Sequence, residues 1–433
     1  MRLRQTASRP RSAQYRMFLC CRRFGSRFAW TASSIPNAAL FAMTHEDLPE
    51  SSMKILMAVC APKGREGGAA GIMMNYAEAL EKRGHRVTSL FLEDLLSQGE
   101  RTGRFAEMRF ASRLARHIQV RPNEYSLVNL QAPAGFLYGL RRRFSAAPGP
   151  AYVTTLPGLQ ENVVYAMKRE HKKGRAWHFS LKNRFWHRVY HQPRFEWSVR
   201  TADAANCYCR DAWVMLRLRY DLDDDRVAYI PNGVSGKFFI DRDYHRTGPL
   251  RLLYAGTWLD QRGIFYLRDA LSPVFAKHPD VRFTFAGPGV PPAEIRGFFG
   301  EALAGRIDIL EKVSWENMPQ LYAEHDILVF PSLLEGQPCV ILEAMASGMP
   351  VVTSETCGMV DVIDHGKDGL LIPPADSAAL ENAIIQLCES PELREKIGRA
   401  AQARMMGRTW EQAAWRLEKL FERTIERTAG GNR

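Results

Sequence analysis

The sequence predicts an α/β protein with two consecutive parallel sheets, each covered by helices. Short apolar runs of strand length alternate with amphipathic helical stretches from Lys54 onward, and the alternation restarts after residue 235. A chain of 433 residues is long enough for two or three domains. Its composition, 46% apolar and 24% charged, is typical of folded proteins. This composition excludes a disordered chain, a collagen-like fibre and a multi-span membrane protein.

Residues 1–52 differ from the rest of the chain and are left out of the predicted fold. Residues 1–45 contain eight arginines, no lysine and no acidic residue, and they show no apolar periodicity. This composition fits an organellar transit peptide or an upstream extension that does not belong to the functional chain. The run that starts at Met53 leads directly into a strand, so the extension is the favoured interpretation.

The first predicted domain covers residues 53–235. A buried strand at 55–60 leads into a turn rich in glycine, which is followed by a helix and by a second strand at 86–92. The glycines of this turn are Gly64, Gly67, Gly68 and Gly71. A strand, a glycine turn, a helix and a strand form a βαβ unit, which predicts a parallel sheet.

The second predicted domain covers residues 236–409 and follows a linker with strong turn chemistry at 230–234. Its predicted strands lie at 250–255, 281–286, 327–330, 350–353 and 369–372. In sheets of this kind, ligands bind beyond the carboxyl ends of the strands. The last segment, 410–433, carries an apolar stripe and is predicted to be a helix that crosses back toward the first domain.

The net charge of +12 is concentrated in one region of the chain. Residues 101–200 hold 19 Lys/Arg and 5 Asp/Glu, a net of +14, so the remaining residues sum to about −2. A local positive field indicates an anionic partner, which is a phosphate group, an acidic lipid headgroup or a nucleic acid.

The sequence predicts neither a disulfide framework nor a metal site. The eight cysteines are sparse and form no CxxC pair and no Cys/His ligand set, so reduced thiols in a cytosolic compartment are expected. The acidic run Asp221–Asp225 precedes a predicted strand and is interpreted as a solvated turn.

The segment 330–350 carries the most information about function. Its residues 332–338 form a loop at the carboxyl edge of the second sheet, and a helix starts near Cys339 with unpaired N–H groups that attract a phosphate. Glu335 lies in the loop, and Glu343 lies about one turn into the helix. Small or apolar residues follow Glu343. Because a buried carboxylate without a partner is costly, ligand binding is favoured over a surface charge.

This segment resembles the E-x7-E motif of the family 4 retaining glycosyltransferases, and the resemblance covers most of residues 53–428. It implies the GT-B fold, with two Rossmann-like doubly wound parallel-sheet domains that face a central cleft. In that family the first glutamate contacts the donor sugar and the second binds the nucleotide ribose, and these correspond here to Glu335 and Glu343. The residues between them that would face the sugar and the diphosphate are Gly336, Gln337, Pro338, Cys339 and Val340.

Other segments agree with this resemblance. Residues 254–263 look like the first strand and turn of the family's donor lobe, where a basic residue, here Arg262, neutralises the leaving diphosphate. The same predicted donor site includes Gly256, Thr257 and Gly287. Gly67 and Gly68 match the family's first glycine-rich loop, in which backbone N–H groups approach the donor phosphate or the acceptor. Alternatively, that loop is a simple turn.

Two positions depart from the family's pattern. Thr257 stands where the family often has a second arginine, so Arg262 acts alone or borrows help from elsewhere. Pro157, which precedes Gly158 in the predicted acceptor-side loop, stands where many members carry a histidine near the transferring sugar. Proline offers no side-chain hydrogen bond, so that contact is dispensable or supplied by another group.

Two basic clusters in the first domain are predicted to bind an anionic membrane or acceptor. Arg141, Arg142 and Arg143 follow an apolar patch, and residues 168–188 are predicted to form a basic amphipathic helix with interfacial aromatic residues. The candidate contacts of this helix are Lys172, Lys173, Arg175, Lys182 and Arg184. Alternatively, the aromatic residues belong to the core and the cations to a solvated face. Nucleic-acid binding is not predicted, because no recognised module accompanies the charge.

The resemblance therefore predicts a retaining, metal-independent glycosyltransferase of the hexosyltransferase type that needs no cofactor. Its substrates are expected to be a nucleotide diphosphate sugar and a hydroxyl of a lipid-linked, lipopolysaccharide or polysaccharide acceptor. The expected location is the cytoplasm or the inner face of the cytoplasmic membrane. Two alternatives stay open: a catalytically degenerate GT-B module that docks at a membrane or a partner, and a GT-B-fold sugar-nucleotide epimerase.

Overall fold

The computed structural model describes residues 52–65, 68–103, 105–145, 149–158, 160–176 and 180–431, without the side chains of 160–163 and 165. The predicted N-terminal extension, apart from Ser52, lies outside these residues. Gly67 of the glycine-rich turn and Trp177 of the second basic cluster lie outside them as well.

The first lobe is built around a parallel sheet. Its strands are β1 (Lys54–Ala58), β2 (Arg86–Leu90), β3 (Leu127–Gln131), β4 (Ala151–Leu156), β5 (Ala204–Cys207) and β6 (Val227–Tyr229). They pair in the order β2-β1-β3-β4-β5-β6. The helices are α1 (Gly68–Lys82), α2 (Leu92–Leu95), α3 (Ala106–Gln119), α4 (Phe136–Arg143), α5 (Gln160–Lys172), α6 (Leu181–Trp186), α7 (Gln192–Arg200) and α8 (Arg210–Tyr220).

The second lobe repeats this plan with a second parallel sheet. Its strands are β7 (Arg251–Ala255), β8 (Arg282–Ala286), β9 (Ile307–Leu310), β10 (Ile327–Phe330), β11 (Val351–Ser354) and β12 (Leu370–Ile372). They pair in the order β12-β11-β10-β7-β8-β9. The helices are α9 (Ile264–Lys277), α10 (Pro292–Phe299), α11 (Glu301–Ala304), α12 (Met318–Ala323), α13 (Cys339–Ala346), α14 (Ser377–Glu389), α15 (Pro391–Met405) and α16 (Trp410–Ala429).

The central strands of both sheets are buried because helices cover both faces. Every residue of β10 is buried, and so is every residue of β4. A strand that is covered on both faces loses the alternation of apolar and polar residues. The predicted fold class, two doubly wound parallel sheets, is therefore confirmed.

The final helix, α16, follows the second lobe in sequence but packs on α1 of the first lobe. The Trp410 ring stands edge-on to the Tyr76 ring, with the ring centroids 5.2 Å apart. The buried carboxylate of Glu418 pairs with the Arg83 guanidinium and lies 3.4 Å from Nε2 of His85. A buried carboxylate is tolerated in such a contact because a cation balances its charge.

The second basic cluster is not one helix, so the prediction for residues 168–188 is wrong. α5 ends at Lys172, and Gly174 then adopts a left-handed backbone with φ of 71°, which glycine accepts because it has no Cβ. A new helix, α6, begins after Ser180, whose hydroxyl accepts a hydrogen bond from the Asn183 N–H. The cations of the cluster are therefore spread over two helices and the turn between them.

Candidate active site in the cleft between the lobes

A cleft of about 510 Å³ lies between the two lobes, at the carboxyl ends of the strands. Both lobes line it. From the first lobe come Arg65, Gly68, Gly71, Asn75, Gln131 and Pro157. From the second come all the residues predicted for the donor site: Gly256, Thr257, Arg262, Gly287, Glu335, Gly336, Gln337, Pro338, Cys339, Val340 and Glu343. Gly158 lies beside Gly336, next to the cleft.

Arg262 and Glu335 form an ion pair on the wall of the cleft. Arg262 lies in the turn after β7, Glu335 lies in the loop after β10, and the guanidinium Nη1 contacts the carboxylate Oε1. The Ser332 hydroxyl donates a second hydrogen bond to the same oxygen, at 3.0 Å. Burial lowers the pKa of Arg262, and its buried Nε has no partner among the described residues. The pair thus carries a hydrogen-bond donor that a ligand could use.

Gly263 fixes the turn that carries Arg262. Its backbone is left-handed, with φ of 76°, and a Cβ at this position would overlap the carbonyl oxygen of Pro331. Only glycine meets both conditions without strain. The turn therefore packs directly on the strand end that leads to Glu335, which explains how two residues far apart in sequence form an ion pair.

Glu343 lies on α13, and its carboxylate faces the cleft eight positions after Glu335. The Tyr322 hydroxyl of α12 donates a hydrogen bond to Oε2 at 2.9 Å. Burial raises the pKa of Glu343 from its usual value of 4.5 to about 7, although the Tyr322 hydrogen bond and the charge of Lys237 oppose this shift. A carboxylate in this state accepts hydrogen bonds from hydroxyl groups strongly once it is ionised.

The charge of Lys237 acts on this carboxylate, and Arg65 lines the cleft; neither residue was predicted as part of the site. The Lys237 amine donates to the Trp315 carbonyl oxygen at 2.6 Å and lies 2.8 Å from the centre of the Trp315 ring. Arg65, from the first lobe, places its guanidinium 4.7 Å from the same ring centre. Trp315 lines the cleft. This end of the cleft is therefore cationic and aromatic.

Gln337 presents a free hydrogen-bond donor at the start of α13. Its Oε1 accepts a hydrogen bond from the Asn232 N–H at 2.6 Å, and its backbone carbonyl accepts one from the Asn232 side chain at 3.3 Å. Because Oε1 must be the acceptor, the orientation of the amide is fixed. The buried Nε2 then has no partner among the described residues. An acceptor oxygen of a ligand would satisfy it.

The lobes touch each other at Pro157 and Gly336. A Cβ on Gly336 would overlap the carbonyl oxygen of Pro157, so the two backbones are in direct contact. Thr257, the position of the missing arginine, is exposed and lines the cleft from the second lobe. The residue that replaces the family's histidine thus contacts the E-x7-E loop through its backbone.

The predicted basic surface is only partly present. The prediction that Arg142 contacts an anionic membrane or acceptor is wrong. Its guanidinium pairs with the Asp203 carboxylate at 2.7 Å, and its side chain is 7% exposed. Lys173 and Arg175 also contact the second lobe, although the Lys173 side chain is still 44% exposed. The remaining candidates are exposed or partly exposed, namely Arg141, Arg143, Lys172, Lys182 and Arg184.

The described residues contain neither a candidate metal cluster nor a candidate membrane-spanning helix. No group of three or more His, Cys, Asp or Glu side chains in the described ranges is arranged to hold a metal ion. Within the same ranges, no helix has both the length and the apolar character that crossing a membrane requires.

Residues 249–390 match the model of the family described as Glycosyl transferases group 1. The uncharacterized glycosyltransferase MJ1178 of Methanocaldococcus jannaschii is 24% identical over 229 residues, which are 53% of this chain and 62% of that protein. D-inositol 3-phosphate glycosyltransferase of Pseudarthrobacter chlorophenolicus is 29% identical over 226 residues, which are 49% and 53% of the two chains. The chain thus spans between half and two thirds of the length of these curated relatives.

Two solved structures have the same architecture. Sucrose-phosphate synthase from Thermosynechococcus elongatus superposes with a TM-score of 0.68 at 19% identity, over 87% of this chain and 99% of that one. Anabaena Alr3699/HepE in complex with UDP and glucose superposes with a TM-score of 0.60 at 19% identity, over 84% and 98%. At these identities the likeness concerns the fold alone.

Proposed function

We propose that the chain is a retaining glycosyltransferase with a GT-B fold, because residues 249–390 match the family described as Glycosyl transferases group 1. It would move a sugar from a nucleoside diphosphate to a hydroxyl group of an acceptor. The observation that carries the proposal is the meeting of Arg262, Glu335 and Glu343 with the start of α13 in one cleft. This arrangement favours an enzyme over a docking module, and an epimerised sugar formed from the donor without acceptor would favour the epimerase instead.

The departing diphosphate would be stabilised by groups of the second lobe. Arg262 brings a positive charge, the start of α13 brings unpaired N–H groups, and Gln337 brings its free Nε2. The bond between the anomeric carbon and the diphosphate oxygen breaks while the acceptor oxygen bonds to the same face of that carbon. The acceptor's proton passes to the departing oxygen, so the protein's main contributions are positioning and charge stabilisation.

The two glutamates would hold opposite ends of the donor. Glu335 contacts the sugar from the loop, and its ion pair with Arg262 fixes its orientation. Glu343 accepts hydrogen bonds from the ribose hydroxyls, and Tyr322 holds its carboxylate in place. Lys237 adds positive charge at the nucleoside end, near Glu343, whereas Arg65 is paired with Glu78, so Arg262 is the proposed cation at the diphosphate.

Calorimetry with UDP-, GDP- and ADP-sugars tests this proposal. We expect at least one of these donors to bind, and we expect Glu343→Gln to weaken its binding about tenfold, because a hydrogen bond to a charged group is lost. Since the pKa of Glu343 is about 7, donor binding should also depend on pH. Ribose hydroxyls favour the ionised carboxylate, so the donor Kd should rise by about tenfold in total as the pH falls through 7, and stay constant well above it.

Glu294→Gln is the matched control, because Glu294 is exposed on α10 and is not among the residues that line the cleft. This variant should bind the donor as the wild type does and keep its pH dependence. Glu343→Gln should bind with no pH dependence between pH 6 and 8. The absence of heat with every donor would refute the proposed function, and a flat pH profile of the wild type would refute the role of Glu343.

The acceptor is proposed to be a lipid-linked, lipopolysaccharide or polysaccharide chain that the first lobe reaches at an anionic membrane. The observation behind this part is a pair of exposed apolar side chains on α6. Leu181 and Phe185 are 77% and 68% exposed, and the exposed cations Lys182 and Arg188 flank them. Exposed apolar side chains among cations suit the headgroup region of an anionic membrane.

Flotation with liposomes tests the membrane contact. We expect the wild type to float with vesicles that contain phosphatidylglycerol, and to stay behind with neutral phosphatidylcholine or at high salt. The double variant Leu181→Ser/Phe185→Ser should lose most of this binding. Leu218→Ser is the control, since Leu218 is 73% exposed on α8 of the same lobe. Binding that ignores both lipid charge and salt would contradict the proposal.

A further inference from the structure

A second contact between the lobes joins α5 and its following turn to the first turns of α9. The Tyr266 hydroxyl of α9 donates a hydrogen bond to Oε2 of Glu170, a buried carboxylate at the end of α5. The Lys173 amine donates to Oε1 of Glu170 at 3.1 Å and to the Tyr266 hydroxyl oxygen at 2.9 Å. Three polar groups from two lobes thus satisfy one another.

An ion pair and an apolar layer extend this contact. Nη2 of Arg175 donates to Oδ2 of Asp269 at 2.8 Å, and the guanidinium lies 4.7 Å from the centre of the Tyr266 ring. Below the ring, Met167 and Ala176 of the first lobe pack with Leu333 of the second, and all three are buried. The contact therefore combines apolar burial with directed hydrogen bonds.

The partners in the second lobe are close in sequence to both proposed catalytic residues. Tyr266 follows Arg262 by four residues, in the first turn of α9, and Leu333 precedes Glu335 by two. The Leu333 N–H also donates to the Gln261 carbonyl oxygen at 2.9 Å, which ties the two loops together. An opening of the cleft would separate Tyr266 from Glu170 and Arg175 from Asp269.

We infer that this contact, the α5–α9 clasp (Glu170, Lys173, Arg175, Tyr266 and Asp269), positions Arg262 and Glu335 for the reaction by holding the lobes closed over their loops. The inference rests on the proposed function. It gives Lys173 and Arg175 a role between the lobes, where the sequence had placed them on an anionic surface. The members of the clasp are positioning residues, because none of them lines the cleft.

The test compares Tyr266→Phe and Arg175→Ala with the wild type. We expect kcat to fall about tenfold in Tyr266→Phe, the size of one hydrogen bond to a charged group. The donor Kd should stay within about twofold of the wild-type value, because the donor site lies on the second lobe. The substitution changes how the reacting groups of the two lobes are aligned, and this alignment affects kcat. Small-angle X-ray scattering should show a larger radius of gyration for both variants. Arg175→Lys should restore most of the activity that Arg175→Ala loses.

Tyr244→Phe is the control, since the Tyr244 hydroxyl donates to the Gly348 carbonyl oxygen at 2.9 Å inside the second lobe. It should keep both kcat and the radius of gyration of the wild type. A double-mutant cycle of Tyr266→Phe with Glu170→Gln should be clearly non-additive, because the two side chains share one hydrogen bond. Wild-type kcat and scattering in Tyr266→Phe would overturn the inference, whereas a wild type that binds no donor would overturn the proposed function instead.

Discussion

Replacing Arg262 with alanine is expected to lower kcat by about 100-fold or more, the size of the loss when one preorganised group facing a developing charge is removed. Arg262 is the cation closest in structure to Glu335, with which it pairs on the wall of the cleft. Its removal takes positive charge from the diphosphate and leaves the Glu335 carboxylate without its counter-ion. The second effect adds to the first, because an unpaired carboxylate repels a departing anion. The rate of sugar transfer to the acceptor, measured at saturating donor for both proteins, gives the fall in kcat.

The variant Arg262→Lys tests whether Arg262 acts through its positive charge or through the shape of its guanidinium group. Lysine keeps the positive charge but lacks the planar fork and the Nε donor, so we expect activity within about tenfold of the wild type. Arg282→Ala is a control for the loss of an arginine from the same lobe, because Arg282 is 40% exposed, pairs with Asp308 and does not line the cleft. An equal loss in Arg262→Ala and Arg262→Lys would show that charge alone does not explain the role of Arg262.

Gly336→Ala is expected to abolish turnover while the protein stays folded. A Cβ on this residue would overlap the carbonyl oxygen of Pro157 in the opposite lobe. Neither partner is the end of a flexible side chain, so one backbone must move, and displacements of about 1 Å at a reacting centre cost on the order of 100-fold in rate. Steady-state kinetics with a thermal melt would reveal a large fall in kcat without a comparable fall in Tm.

Gly297→Ala is the matched control for this experiment. A Cβ on Gly297, in α10, would meet no atom within 4 Å, so the variant should keep the activity of the wild type. Gly336 has no left-handed backbone to strain, so its substitution acts through the contact with Pro157 alone. Wild-type kcat in Gly336→Ala would mean that the lobes react in a more open arrangement than the one described.

The path of the chain through each sheet could be predicted from local patterns. The strand at 327–330 was placed at its observed bounds, and the start of the next helix at Cys339 was also placed correctly. Both follow from an apolar run that ends at a proline and from the turn residues after it. One clear error, the helix over 168–188, arose because the apolar spacing begins only at residue 177 and therefore gave no sign of the turn at Gly174.

The grouping of Glu335, Glu343 and Arg262 in one cleft agrees with their predicted roles in donor binding, which stay predictions until the variants are measured. Their partners were not predictable in the same way. Tyr322 is 21 residues from Glu343, and no spacing rule connects a residue on one helix to a carboxylate on another. Arg65 and Trp315 come from different lobes, so their contact depends on how the lobes pack.

Sequence by itself determined the fold class, the order of the elements and the segment that carries the acidic pair, because periodicity and turn chemistry act over a few residues. Tertiary structure alone decided what each charge does. Arg142 is buried against Asp203, Arg175 reaches Asp269 in the other lobe, and Lys182 stays in solvent, although all three belong to the same basic region. The reason is physical: a side chain's charge is fixed by its type, but its partner and its desolvation depend on residues that only folding brings near.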